Sequence, residues 1–198
     1  MGEASRAQTA EETIEKLCDR ILHSTLLEDR RAAVLGLKGL SREYQLEVGT
    51  KGMPILLHIL HQDRQDTIMV TAVLETLINL CDSVTATLSP SASPTELQQQ
   101  QRSDLNLGVQ FTEIFIKDQA NVTLLLSLLS DTDFHVRFDD VELLKILLKN
   151  KRKNLQDAIL TNPQGVASLM DLLEDAREAI RNEGLLLLID LTYKVNHF

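Results

Sequence analysis

The chain alternates short blocks dense in leucine and valine with polar segments, and these blocks recur along its length. One block, NVTLLLSLL at residues 121–129, is followed directly by the polar stretch SDTDFHVR. Similar blocks begin at residues 52 and 165, and each is followed by an apolar-x-x-Leu-x-x-Leu pattern. That spacing is typical of amphipathic helices, whereas no alternating strand pattern of useful length is present. The pattern therefore predicts pairs of helices.

The spacing of the blocks indicates a repeat. Blocks at 121 and 165 are 44 residues apart, and those at 52 and 121 are 69 apart, which is 44 plus 25. The extra residues correspond to a run rich in Ser, Pro and Gln at 83–108, which predicts a flexible insertion. Helical units of about 40–47 residues are typical of armadillo and HEAT proteins, whose repeats share one core. We therefore predict an all-α, armadillo-like helical-repeat solenoid.

This repeat pattern also predicts the organisation of the chain. We expect first helical repeats at 9–82, the insertion at 83–108 and further helical repeats at 109–194, all within one continuous solenoid. The leucine blocks are too short to span a membrane, because about 20 apolar residues are needed and residues 122–129 number only eight. They should instead be buried core, because stacked repeats share one core.

Several local signals refine these helices. Thr9 with Glu12 predicts a capping box at a helix start. Asn121 belongs to an Asn-Val-Thr triplet, but we interpret it as a helix N-cap rather than a glycosylation site. The basic run KNKRK at 149–153 predicts a solvated loop between helices, and the alternative is a nuclear signal or a patch for an acidic partner. Cys18 and Cys81 lie on apolar stripes, which indicates buried thiols in a reducing compartment.

Composition limits the classes of partner and location. The net charge is −9 and the sequence pI is about 5.0, so a nucleic-acid phosphate backbone is not an expected partner. The first residues lack the apolar segment of a signal peptide. We therefore expect a cytoplasmic, protein-binding chain.

The chain carries few candidates for chemistry. His58 and His61 are three residues apart with Asp63 as the only local carboxylate, and no nearby Cys or His completes a zinc site. Glycine-rich phosphate loops, G-x-S-x-G and H-E-x-x-H motifs are missing from the sequence. We therefore expect no metal, no cofactor and no catalysis.

Two arginines repeat with the helical period and are candidates for a binding surface. Arg137 and Arg181 are 44 residues apart, and each follows a β-branched residue. One interpretation is a repeated ion pair or hydrogen bond within the solenoid. The other is a basic row on a protein-binding groove, to which the neighbouring His135 would also belong.

Longer runs of the sequence resemble one family. The segments STLLEDRRAAVLGLK, QFTEIFIKDQANVTLLLSLLSDTDFHVR and GVASLMDLLEDAREAIRNEGLLLL are similar to the N-terminal head of the general vesicular transport factors, long vesicle-tethering proteins of the endoplasmic reticulum–Golgi pathway. The resemblance covers about residues 11–191. It implies an armadillo-like head, a dimerising coiled coil and an acidic tail in the family.

The resemblance also implies a function. It implies a non-enzymatic module that docks vesicles in ER-to-Golgi and intra-Golgi transport together with Rab-family GTPases, golgins and SNAREs. It also implies a peripheral location on Golgi and ER–Golgi transport membranes, to which the module is held by its partners. The family's head continues beyond the final residues TYKVNHF, and Phe138-Asp139 stands where the family tends to have Trp-Pro. We therefore expect a fragment of a longer head, without the coiled coil that makes the family homodimeric. The alternative is a free-standing cytosolic armadillo-type adaptor or scaffold of another pathway.

Overall fold

The computed structural model describes residues 2–83 and 107–192, and the side chains among them from residue 10 onward. These residues form α-helices joined by short turns, with no strand in either range. The helices are α1 Gly2–His23, α2 Leu27–Leu40, α3 Gln45–Gln62, α4 Thr67–Cys81, α5 107–117, α6 Gln119–Leu128, α7 Phe134–Thr161, α8 Gly165–Asp171 and α9 Glu178–Thr192. A 3₁₀ turn, Leu172–Glu174, connects α8 to α9.

The chain divides into two compact units, Met1–Phe111 and Thr112–Phe198. In the first unit α1 packs against α2 and α3 packs against α4, so the helices form consecutive pairs. In addition α1 lies along α3 and α2 lies along α4. This arrangement has two layers, α1 with α3 and α2 with α4, and it buries apolar faces that a single helix pair would leave exposed.

The core of the first unit is aliphatic. Its completely buried side chains include Ile14, Leu37, Leu56, Leu60, Leu74 and Leu77. Cys18 and Cys81 are buried with them and form no disulfide, as the apolar stripes predicted. Burial raises the pKa of the Cys18 thiol, although the nearby Lys51 ammonium opposes that effect. The protonated thiol is therefore favoured at neutral pH.

Two glycines allow α5 to approach this core. A Cβ atom at Gly49 would lie 2.1 Å from the Phe111 ring, which occupies the space above the α3 backbone. A Cβ at Gly108 would lie 2.6 Å from the carbonyl oxygen of Cys81 at the end of α4. Such separations are too short for any larger residue, so glycine is required at both positions for this packing.

The second unit repeats the layered arrangement. Helix α6 packs against α7, and α8 with its 3₁₀ turn packs against α9. Helix α6 lies along α8, and α7 lies along α9. The leucine block at 121–129 is core as predicted, because its apolar residues are all buried on α6 and at its end: Val122, Leu124, Leu125, Leu126, Leu128 and Leu129.

Two predicted helix starts are wrong. Helix α1 already begins at Gly2, so Thr9 lies inside it rather than at its N-cap. Helix α6 is capped by Asp118, whose carboxylate accepts from the Ala120 N–H at 2.9 Å. Asn121 is instead buried in the first turn and donates from Nδ2 to the Phe115 carbonyl at 3.0 Å. An aspartate three residues upstream therefore has the capping role predicted for Asn121.

The basic run at 149–153 contains a sharp kink between two helical segments in place of the predicted loop, so the predicted break between helices is present but no extended loop forms. Helix α7 continues through it with a kink at Lys151, where φ is −140° and ψ is 60°. The run is anchored on both sides, since Asn150 donates to the Thr112 hydroxyl at 2.8 Å and Lys151 binds Glu113 at 2.8 Å. Arg152 donates to the carbonyl of Asp190 on α9.

The predicted insertion at 83–108 falls almost entirely on residues 84–106, which lie outside the described residues. Its last two positions, 107–108, are helical and begin α5, so the second set of helices starts two residues earlier than expected. The expectation of one continuous solenoid remains a prediction.

Candidate functional site

Basic side chains connect successive helices of one layer in both units. In the first unit Arg31 of α2 binds Asp66 at 2.9 Å, and Lys38 binds Glu75 of α4. Asp66 is also the N-cap of α4, since its carboxylate accepts from the Met69 N–H. The earlier helix thus supplies the cations, and the later helix supplies the carboxylates.

The second unit uses the same arrangement between α7 and α9. Arg137 donates from Nε to Asp175 Oδ2 at 2.7 Å and from Nη2 to Oδ1 at 3.3 Å. Lys145 of α7 binds Glu183 of α9 at 2.7 Å. The two-point contact fixes the orientation as well as the distance of Arg137 and Asp175, because the guanidinium plane matches the carboxylate.

Arg137 also holds the loop that precedes its own helix. Its Nη1 donates to the carbonyl oxygens of Asp131 at 2.8 Å and Thr132 at 3.2 Å. Arg181 repeats this contact one period later, donating from Nη1 to the carbonyls of Asp175 at 2.7 Å and Ala176 at 3.2 Å. Each arginine therefore fixes the turn that leads into its helix.

The Asp175 carboxylate lies where these contacts converge. Partial burial by itself raises its pKa, but the hydrogen bonds from the Arg177 N–H and the Arg137 guanidinium, with the charges of Arg137 and Arg181, hold that pKa below the ordinary value. The side chains of Arg137 and Asp175 are only 12% and 11% exposed. This pair is therefore a charged link between two turns.

An exposed surface forms over these two turns. Phe134 begins α7, and its ring lies edge-on to the His135 ring, with 5.2 Å between the two centroids. The centroid of the Phe138 ring lies 5.7 Å from that of Phe134. The Arg177 guanidinium carbon lies 5.1 Å from the centroid of the Phe134 ring. We call Phe134, His135, Phe138 and Arg177 the α7 edge surface. Both phenylalanines are half-buried, whereas His135 and Arg177 are exposed.

Local structure places these side chains. Asp133 caps α7 by accepting from the N–H groups of His135 at 2.8 Å and Val136 at 3.3 Å, which orients the first turn. Beside the surface lies an open cleft of about 550 Å³, lined by Thr132, Asp133, Phe134, His135, Arg137 and Arg177. Aromatic faces next to a cation in an open cleft are suited to binding a protein side chain.

The three candidate residues predicted from the sequence do not all lie on this surface. His135 lies on the α7 edge surface, whereas Arg137 and Arg181 lie beneath it and bind the turns. The sequence reasoning missed Phe134 and Arg177, which contribute the aromatic face and the exposed cation. Phe134 and Phe138 are four residues apart at a helix start, a spacing that places them on one face and could have identified them.

The other candidate cluster does not assemble. His58 and His61 are both exposed on α3, and the Asp63 carboxylate binds the Arg30 guanidinium. Across residues 10–83 and 107–192 no group of three or more metal-ligating side chains occurs. Within the helices that the structure describes, none is long and apolar enough to cross a membrane.

Comparison with known proteins identifies the family. The chain is 50% identical over 189 residues, or 96% of its length, to the general vesicular transport factor p115 of Homo sapiens and to that of Bos taurus. The chain belongs to the general vesicular transport factor family. The intracellular protein transport protein uso1 of Schizosaccharomyces pombe, another relative, is 35% identical over 94% of the chain. No family model matches the sequence.

Structural similarity agrees with this membership of the general vesicular transport factor family. A crystal structure of Uso1-2 superposes with a TM-score of 0.80 at 29% identity over 96% of the chain and 30% of the Uso1-2 chain. The predicted all-α, armadillo-like solenoid class is thereby confirmed. The chain spans about a fifth of the length of p115, 19% for the human and bovine proteins.

Proposed function

We propose that this chain is a non-enzymatic protein-binding module of a vesicle-tethering factor in ER-to-Golgi and intra-Golgi transport. It docks vesicles with Rab-family GTPases, golgins and SNAREs, and it works in the cytoplasm and peripherally on Golgi and transport membranes. The observation that carries the proposal is the 50% identity to p115 across nearly the whole chain. The names of the relatives describe vesicular and intracellular protein transport.

The geometry supports a binding role for the α7 edge surface. Phe134 offers a half-buried ring whose position is fixed by the neighbouring side chains, and His135 and Arg177 extend from it into solvent. Arg137 and Arg181 contribute by holding the two turns in place rather than by reaching a partner. Rigid aromatic side chains with an adjacent arginine are the residues that dominate binding energy at protein interfaces.

A binding assay tests this proposal directly. The purified 198-residue chain is immobilised, and a panel of Golgi Rab-family GTPases, each loaded with a non-hydrolysable GTP analogue or with GDP, is passed over it. Golgin and SNARE cytoplasmic domains are measured in the same way. We expect saturable binding of at least one of these proteins, weakened about tenfold by Phe134→Ala and by Arg177→Glu, since both remove central anchors.

The matched control is Arg20→Glu, which makes the same charge change at an exposed position of α1 in the first unit. It should leave binding unchanged. If none of the three protein classes binds the chain, the proposed function is wrong. If a protein binds but Phe134→Ala and Arg177→Glu have no effect, the function survives and the α7 edge surface is not the site.

A further inference from the structure

The α7 edge surface contains a cation without a partner of opposite charge. The Arg177 guanidinium carbon lies 5.1 Å from the centroid of the Phe134 ring. The backbone N–H of Arg177 binds Asp175 at 2.8 Å, whereas its guanidinium makes no ion pair or hydrogen bond within residues 10–83 and 107–192. A ring attracts a cation through the charge distribution of its face, so the N–H donors of Arg177 remain available for a second partner.

The other charged groups of the adjoining cleft are already engaged. The Asp133 carboxylate accepts from two N–H groups in the first turn of α7. Arg137 uses Nε and Nη2 for Asp175, and it uses Nη1 for the turn before its own helix. Of the two arginines that line the cleft, Arg177 is therefore the one that is available to an external anion.

The position of this cation is fixed in advance. Phe134 follows the turn before α7, and Arg177 lies in the turn before α9. The Arg137–Asp175 pair joins these two turns, and Arg177 follows Asp175 by only two residues. A side chain that is already ordered loses less entropy when it binds, so Arg177 is better suited to hold an anion than a freely moving surface arginine.

An apolar contact lies beside the cation. The centroid of the Phe138 ring is 5.7 Å from that of Phe134. Both rings are half-buried, so each retains part of its surface in solvent. Arg177 and Phe138 lie against the same ring, and one short peptide segment can therefore reach both. In an extended segment, residues i and i+2 lie on the same face and are about 7 Å apart.

The surroundings limit the anion to a single acidic side chain. The chain has a net charge of −9, and the exposed Glu174 and Glu178 flank Arg177 in the sequence. Nucleic acids and anionic membranes are bound by several cations at once, which one available arginine does not supply. A run of acidic residues would be repelled by the two glutamates. One carboxylate beside an apolar side chain matches the surface.

We propose that the α7 edge surface binds an extended segment of a partner protein in which one residue separates an aspartate or glutamate from a large apolar residue. Arg177 binds the carboxylate, and the apolar side chain packs on Phe138 beside the Phe134 ring. This inference rests on the proposed function, because it takes the surface to be a protein-binding site, and it adds the chemistry of the partner.

Synthetic peptides test that chemistry without any trafficking protein. The probe is acetyl-Gly-Ser-Ser-Glu-Ser-Leu-Ser-Gly-amide, and its matched control has Gln in place of Glu. Each peptide is titrated into the isotope-labelled 198-residue chain at neutral pH while the backbone amide chemical shifts are followed by NMR. We expect the Glu peptide to shift the amides of Phe134, Phe138 and Arg177 and to bind about tenfold more tightly than the Gln peptide, because a charge-assisted contact is lost in the control.

Ionic strength and the number of charges provide two further checks. The preference for the Glu peptide should shrink between about 20 mM and about 500 mM sodium chloride, because salt screens an exposed ion pair. A peptide with three consecutive glutamates in place of Ser-Glu-Ser should bind no more tightly than the probe. Tighter binding by that peptide, or displacement of the probe by an equal concentration of inorganic phosphate, would overturn the proposal in favour of a general anion site.

Variants of the chain assign the contact to its residues. Arg177→Gln should remove the preference for the Glu peptide, and Arg177→Lys should retain part of it, because lysine keeps the charge without the planar fork. Phe134→Leu removes the ring beside the cation and should weaken binding of the Glu peptide about threefold. The control Arg20→Gln removes an exposed arginine of α1 and should change nothing. Circular dichroism checks that each variant remains folded.

The outcomes separate this inference from the proposed function. No binding of the Glu peptide, equal binding of the two peptides, or a preference that Arg177→Gln retains would overturn the inference. If a trafficking protein of the panel binds the chain and the Glu peptide does not, the inference is wrong and the proposed function stands. If the Glu peptide binds at Arg177 and no protein of the panel binds, the proposed function is wrong and the surface keeps its assigned chemistry.

Discussion

Arg137 and Asp175 form a two-point ion pair that joins the turn before α7 to the turn before α9. The shorter of its two hydrogen bonds is 2.7 Å, and close to nine-tenths of each side chain is buried. Breaking such a pair leaves a largely buried charge without its opposite charge, which is more costly than the loss of an exposed ion pair.

Arg137→Ala should therefore destabilise the chain by about 2–4 kcal/mol. Arg177→Ala is the control, because Arg177 is exposed and contacts the Phe134 ring rather than a carboxylate, so its removal should cost within about 1 kcal/mol. Urea unfolding followed by far-ultraviolet circular dichroism measures both. If the two variants lose the same free energy of unfolding, the Arg137–Asp175 pair stabilises the chain no more than the exposed Arg177 does.

The same pair predicts a dependence on pH. The pKa of Asp175 is lower in the folded chain than its ordinary value of 3.8, since hydrogen bonds and positive charges outweigh its burial. The Asp175 carboxylate therefore takes up a proton more readily in the unfolded chain than in the folded chain. The stabilisation that ionised Asp175 gives the fold is complete at a pH above its ordinary pKa, and it is lost as the pH falls through its lower pKa in the folded chain.

The free-energy gap between the original chain and Asp175→Asn should accordingly be constant near neutral pH and shrink on acidification below 3.8. Urea unfolding of both proteins in a series of buffers measures it. Asp171→Asn serves as a control for a surface carboxylate, because Asp171 is exposed at the end of α8. A gap that widens on acidification would contradict the assigned direction of the pKa shift.

The leucine pattern predicted the layered helices because a helix that is buried on several sides needs apolar residues at nearly every position, as in the block that forms α6. The 44-residue spacing also related Arg137 to Arg181 correctly. The sequence could not reveal that Asp175 is the partner of Arg137, because that pairing depends on how far one helix is displaced along the next. It also could not distinguish Asp118 from Asn121 as the cap of α6, since both residue types favour that role.

Two glycines in the first unit should respond in opposite directions to alanine. Gly49→Ala places a methyl group 2.1 Å from the buried Phe111 ring, so the ring or helix α3 must shift, at a cost of about 1–3 kcal/mol. Gly39→Ala meets nothing within 4 Å on α2 and should stabilise the chain by about 0.5–1 kcal/mol through helix propensity.

Thermal unfolding compares the pair of glycine variants. Each 1 kcal/mol corresponds to a change of about 2–4 °C in Tm for a chain of this size. Neither glycine has a positive φ, so alanine introduces no backbone strain at either site. A rise in Tm for Gly49→Ala would show that the Phe111 ring can be accommodated elsewhere without loss.

The last prediction concerns the proposed function in a vesicle-docking assay. Bridging two membranes requires reach and more than one attachment point, because a second linked contact converts weak binding into lasting attachment. The longest described helix, α7, has 28 residues and a kink, so it extends only about 40 Å. Residues 2–83 and 107–192 thus offer binding surfaces but include no long helical arm. It should therefore fail to restore docking in cytosol depleted of the long family member, and an excess should inhibit docking in complete cytosol.

The inhibition provides the internal control for that assay. Arg177→Glu should relieve it, because the α7 edge surface is the proposed point of competition, whereas Arg20→Glu should not. Inhibition that both variants retain would place the competing surface elsewhere on the chain. Full restoration of docking by the 198-residue chain would contradict the prediction more deeply, since one short solenoid segment would then suffice to join two membranes.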